Sequence, residues 1–220
     1  MVKRSNIERL RVEYHDLWKS ATTHPFVEEL GSGSLSVKRF QRYLLQDYMF
    51  LDGLRRVSAL AVAKAPDHSA ARALDEFLGV LLGAEDSLFR RGFQQMDIGE
   101  SVYRTAEALP ITAAFCDFMV RVAYERPFAT ICSVLYVTEG VYLDWATRLR
   151  RAGAHPCVPI YAEWIEIHDE PALGPFVNFL SSVVDGEALD DLSELKSPFE
   201  RALRYELAMW DMAYDAEKWP

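Results

Sequence analysis

The chain has 220 residues, half of them hydrophobic and 12% aromatic, with 24 Lys and Arg against 33 Asp and Glu for a net charge of −9. This composition fits one folded globular domain over residues 1–220 and excludes an intrinsically disordered chain. The acidic balance, broken only by short basic pairs such as Arg55-Arg56 and Arg90-Arg91, excludes the clustered Lys/Arg face that nucleic acid requires.

Helical periodicity dominates from the first segment onward, where Leu10, Tyr14, Leu17, Trp18 and Ala21 form one stripe across a helix from about Ile7 to Thr22. GSGS at 31–34 reads as a flexible break. Ser36 then caps a long helix that carries Asp47 and closes at Pro66. A third helical segment spans about Ser69 to Gln94, with Leu74, Phe77, Leu78, Leu81, Leu82, Leu88 and Phe89 at helical spacings. Loop signals at Asp97–Ser101 and Pro110 separate it from a helix over Thr112–Tyr124. Pro127 opens the next helix, which runs to the Gly153 stop. The HPCVP loop leads into IYAEWIEIH, DEPALGP interrupts, FVNFLSSVV follows, and a last helix covers roughly Glu194 to Asp215.

The pattern predicts an all-α bundle of seven or eight helices, in which a site would lie between facing helices. No uncharged run approaches the eighteen residues of a membrane span, and no apolar segment follows a basic start, so a cytoplasmic protein is expected. Cys116, Cys132 and Cys157 leave one thiol unpaired in any intramolecular scheme, which suits free thiols in a reducing compartment.

Several chemistries lack their motif. Glu-x-x-His, HExxH and Cys/His zinc spacings are absent, and Glu163, Glu166 and His168 do not share a helix face, so no metal is expected. GSGS is not a phosphate loop, and the nucleophile elbow GxSxG does not occur. What remains is a set of polar groups on apolar helix faces. Tyr43, Asp47 and Phe50 share one side of the long helix; Cys132, Tyr136 and Glu139 follow one stripe; Glu206 sits among Leu203, Leu207 and Trp210. Each alone fits a packing role. A carboxylate such as Asp47 among aromatics must face water, find a partner or hold a ligand.

In this order, LQDYMFLDGLRR, CSVLYVTEGVYLDWA, PIYAEWIEIH and RYELAMWDMAY resemble the TenA/thiaminase II family over nearly the whole chain. The resemblance implies a haem-oxygenase-like fold, a homotetramer, no cofactor, and hydrolysis of aminopyrimidine, formylaminopyrimidine or thiamin to hydroxymethylpyrimidine. Asp47 then matches the acid that binds the pyrimidine amino group and a ring nitrogen, and Glu206 matches the acid/base. Phe50 and His168 stand where better-known members carry Tyr. The nucleophile has two registers. Cys132 and Tyr136 reproduce the C-x-x-x-Y spacing of the cysteine branch. Anchoring on Glu139 instead puts Ser133 at that position and resembles the branch with paired glutamates, in which Glu139 or Glu85 joins Glu206. The alternative is a non-catalytic pyrimidine- or tetrapyrrole-binding protein, the latter drawing an axial ligand from His15 or His24. Trp164, Trp210 and Trp219 are expected to offer interface surface.

Overall fold

Helix follows helix from Asn6 to Asp215 in the computed structural model, which describes residues 4–188 and 191–219. Helix α1 (Asn6–Glu13) starts at Ser5, whose hydroxyl accepts from the Glu8 amide, and α2 (His15–Thr22) follows after a break at Tyr14. The single helix expected over Ile7–Thr22 is therefore two. Helix α3 (Pro25–Ser32) runs into GSGS, so the expected flexible break is a helix end. Gly33 caps it at φ +76°, a left-handed conformation that glycine adopts without a Cβ penalty.

Helix α4 (Val37–Lys64) begins as expected, with the Ser36 hydroxyl accepting from the Arg39 amide, and ends before Pro66. Helices α5 (His68–Val80) and α6 (Asp86–Gln95) are joined by a π-helical stretch, Leu81–Glu85, so the third segment is helical but not regular. A short α7 (Glu100–Thr105) occupies part of the expected loop, and α8 (Pro110–Glu125) and α9 (Phe128–Arg151) each start at a proline signal. After α10 (Pro159–Ile167), α11 (Glu170–Gly186) absorbs DEPALGP. The Asp169 carboxylate accepts from the Glu170 amide, and the N–H that Pro175 lacks would have met the Pro171 carbonyl in the first turn. Pro171 sits in the first turn, where an N–H has no intrahelical partner, so of the two prolines only Pro175 removes a ladder bond. Helix α12 (Ser193–Asp215) completes the chain. Twelve α-helices among the described residues exceed the seven or eight expected, because breaks at Tyr14 and around Leu81–Glu85 divide two periodic segments and because α3 and α7 form where no helix was expected.

Helix α9 forms the centre. Every residue from Ala129 to Val141 is buried, as expected for a helix that is apolar nearly all round. It packs against α11 and α12, while α4 packs against α8, α5 and α12. Gly53 allows the α4–α8 approach, since a Cβ there would lie 2.6 Å from Cys116 Sγ. The floor between α3, α4, α10 and α12 is aromatic, built from fully buried Phe26, Phe40, Tyr43, Tyr161, Trp164 and Trp210. Burying each phenylalanine stabilises the fold by about 1.5–3 kcal/mol. Trp164 and Trp210 are thus core residues and offer no interface surface; of the three tryptophans only Trp219 is exposed. None of the described helices is long and apolar enough to cross a membrane.

Candidate active site

Asp47 is 6% exposed, and its carboxylate belongs to a hydrogen-bonded hub rather than to an ion pair. Tyr43, one turn earlier on α4, donates its hydroxyl to Asp47 Oδ2 at 3.0 Å and accepts from Trp164 Nε1 at 3.1 Å. The Tyr142 hydroxyl lies 2.9 Å from that of Tyr43. With the Tyr43 proton directed at Asp47, Tyr142 is the donor of this pair. Three helices therefore aim one carboxylate.

Asp47 and Phe50 form one wall of a small chamber completed by Glu85 from the π-helical stretch, Thr138, Glu139 and Tyr142 from α9, and His168 at the end of α10. Its cavity volume is ≈ 20 Å³, room for about one water. Beyond lies a vestibule of ≈ 500 Å³ between α5, α6 and α11, lined mainly by apolar side chains. Glu85, Glu139 and His168 line both spaces and form the wall between them. Glu206 approaches from α12; it is 2% exposed, and its Oε1 has no hydrogen-bond partner.

No Lys or Arg lines the chamber, so its three acids, Asp47, Glu85 and Glu139, together with the coupled Glu206, are buried without a cation from its walls. Burial pushes Asp47 up to about 7 despite the Tyr43 hydrogen bond. Burial and the neighbouring Asp47 push Glu139 up to about 8, against a hydrogen bond from Thr138. Burial, then repulsion from Glu139 and Asp47, holds both Glu85 and Glu206 well above the ordinary carboxylate range. Near neutral pH the cluster therefore holds both protonated and ionised carboxyls, the condition for passing a proton to and from a ligand. A π-helical stretch carrying Glu85 fits the frequent placement of such stretches at functional sites.

His168 is the opposite case. Its Nδ1 lies 2.7 Å from the Trp164 carbonyl, which only accepts, so Nδ1 carries the proton. Burial lowers the ring to about 4, leaving it neutral.

A sequence model of the TENA/THI-4/PQQC family matches residues 12–216. The chain belongs to that family. It is 26% identical over 207 residues to an aminopyrimidine aminohydrolase of Halalkalibacterium halodurans, covering 92% of each chain. A TenA homologue protein from P. horikoshii OT3 superposes with a TM-score of 0.88 at 26% identity, covering 96% of this chain and 99% of that one. A Shewanella denitrificans OS217 domain of unknown function, described as having a heme oxygenase-like fold, superposes at 0.76 with 13% identity, covering 97% and 94%. The fold is all-α and haem-oxygenase-like.

Within this TENA/THI-4/PQQC member the chamber gathers Asp47, Phe50, Glu85, Glu139 and His168, with Tyr43 hydrogen-bonded to Asp47 and Glu206 electrostatically coupled to Glu139 and Asp47 outside its walls, and leaves Cys132 and Tyr136 out. Cys132 is fully buried and absent from the chamber walls, and burial pushes its thiol up to about 12. Tyr136 packs against Trp18 and Phe199, with Arg11 donating to its hydroxyl at 3.4 Å. Ser133 is buried and donates to the Thr130 carbonyl. Sequence reasoning missed Tyr142, Trp164 and Thr138. Tyr142 follows Glu139 by three residues, so helical spacing anchored on Glu139 could have found it.

The candidate haem ligands do not face this space. His15 is exposed. His24 caps α3, accepting from the Phe26 amide at Nδ1 while Nε2 meets Asp211.

Proposed function

We propose that this chain is a hydrolase of thiamin salvage. It replaces the nitrogen leaving group on the methylene of an aminopyrimidine with water and releases hydroxymethylpyrimidine. The observation that carries the reading is a chamber lined by three buried acids and no cation, with a fourth, Glu206, electrostatically coupled to them. It suits the N–H donors and positive charge at the edge of a flat ligand whose body extends toward the vestibule. The Halalkalibacterium halodurans relative, an aminopyrimidine aminohydrolase, supports the same substrate class.

In this reading Asp47 recognises the ring. A carboxyl near half-protonation at neutral pH can accept from the exocyclic amino group and donate to the adjacent ring nitrogen, or hold the ring as its conjugate cation. Phe50 packs on Phe115 and offers its face to the heterocycle. Glu206 and Glu139 act as the coupled acid/base pair. The protonated partner delivers a proton to the departing nitrogen, and the ionised one takes a proton from water as oxygen bonds to the methylene. The C–N bond breaks with its electron pair staying on nitrogen, and no cofactor enters. The carboxylates, rather than Cys132, carry the chemistry in this reading, because a thiol held near 12 contributes almost no thiolate at pH 7.

The family resemblance also supports a homotetramer, to be tested by size-exclusion chromatography with light scattering. The function is tested by incubating purified protein with aminomethylpyrimidine, its N-formyl derivative and thiamin, and quantifying hydroxymethylpyrimidine. Release from at least one is expected. A folded protein that releases none overturns the reading.

A further inference from the structure

The chamber and the vestibule differ in character. Asp47 lines only the chamber, whereas Phe77, Val80, Leu88, Phe176 and Phe179 line only the vestibule. A pyrimidine ring is larger than the ≈ 20 Å³ chamber, so a ring whose amino group reaches Asp47 projects through the shared wall, with its methylene and departing nitrogen toward the vestibule rather than the aromatic floor. The floor is filled by Tyr43, Trp164 and Trp210, all fully buried. The outward path crosses Glu85, Glu139 and His168 and ends in ≈ 500 Å³ of mostly apolar space, far more than ammonia requires.

His168 fixes the chemistry of that crossing. Its ring is wedged among Tyr142, Trp145 and Trp164, with centroids at 4.7, 5.8 and 5.2 Å, so it has little freedom to turn. With Nδ1 donating to the Trp164 carbonyl at 2.7 Å, Nε2 is the ring's remaining polar atom, and it can only accept. The neutral state that burial imposes keeps that lone pair available.

We propose that the substrate carries an apolar substituent on its departing nitrogen, that this substituent occupies the vestibule, and that His168 Nε2 accepts a hydrogen bond from the N–H of that nitrogen. The inference rests on the hydrolase reading given above. It selects secondary amines and amides over quaternary nitrogen, which has no N–H to offer. The reaction balances as that hydrolysis: the C–N bond breaks, water oxygen bonds the methylene, and the amine leaves with the proton delivered to it. His168 is a specificity-determining residue, since it takes no proton in the step.

The test measures kcat/KM for pyrimidines whose aminomethyl nitrogen is primary, N-methyl, N-benzyl or trimethylated, in wild type, His168→Phe and His168→Gln. Circular dichroism confirms that each variant is folded. In wild type the N-benzyl amine is expected to exceed the primary amine at least about tenfold, the scale of one buried ring. His168→Phe keeps the packing but not the acceptor, and should lower kcat/KM for N-benzyl about tenfold while leaving the trimethylated compound within about twofold. The carbonyl of His168→Gln should restore part of the loss. Wild type that hydrolyses the primary amine yet gains nothing from N-benzyl, or a His168→Phe that slows every substrate equally, overturns this inference and leaves the hydrolase reading standing. Wild type that hydrolyses none of them overturns both.

Discussion

Cys132 and Glu139 stand on the same side of α9, seven residues and about 10.5 Å of helix rise apart, and only Glu139 reaches the chamber wall. The offset separates a packed thiol from a carboxylate beside Asp47. Cys132→Ser should therefore retain turnover within about threefold, whereas Glu139→Gln or Glu206→Gln should lose about 10²–10⁴-fold, the usual contribution of an acid/base group. Steady-state rates on one aminopyrimidine substrate check this.

The buried acids also set how stability depends on pH. Asp47, Glu85, Glu139 and Glu206 each hold a proton more tightly in the folded chain than when unfolded. The folded state thus carries extra protons from the ordinary carboxylate range up to about 7 for Asp47 and about 8 for Glu139. Their stabilisation is complete at low pH and is lost as pH rises through that window. His168 acts oppositely between about 4 and its ordinary value of 6.5, so the carboxylate effect stands clearest above that range. The melting temperature should fall from pH 6.5 to 8.5. Glu206→Gln should flatten that fall and be more stable than wild type at the alkaline end, which thermal melts across the series will measure.

Tyr43→Phe should damage both stability and the site. The lost hydroxyl strands the Trp164 Nε1 donor and the Tyr142 hydroxyl in a buried region, costing about 1–3 kcal/mol. It also removes the hydrogen bond that moderates Asp47, whose acid should rise above about 7. Urea denaturation reads the first effect, and an upward shift in the pH dependence of kcat/KM reads the second.

Where α4 meets α8, Gly53→Ala would place a methyl group 2.6 Å from Cys116 Sγ and 3.0 Å from its Cα. Backbone cannot swing aside as a side-chain tip can. A destabilisation of about 1–3 kcal/mol is expected, by denaturant titration.

The legible parts of this protein were those that local spacing determines. Asp47 was legible because an acid inside an aromatic stripe on a capped helix needs a partner or ligand, and Tyr43 and Phe50 followed by helical spacing. α9 was legible as a helix, but its inward face was not. Of the C-x-x-x-Y pair, Tyr136 packs on Trp18 and Phe199 and Cys132 is buried away from the chamber, whereas the glutamate register leads through Glu139 to it. Position along the axis decides which, and that depends on where α4 and α12 cross α9. The π-helical stretch behind Glu85 was invisible because its apolar spacing reads as ordinary helix. DEPALGP misled for a different reason: prolines in the first turns of α11 give up few hydrogen bonds, a matter of position rather than composition.

Whether carboxylates act where the thiol does not is tested most directly by single-turnover release of hydroxymethylpyrimidine by wild type, Cys132→Ser and Glu139→Gln. Mass spectrometry of the quenched enzyme runs alongside. Release that survives in Cys132→Ser, collapses in Glu139→Gln and leaves the wild-type protein mass unchanged is the predicted result. A pyrimidine adduct on wild type that disappears with Cys132→Ser, together with its activity, would contradict it.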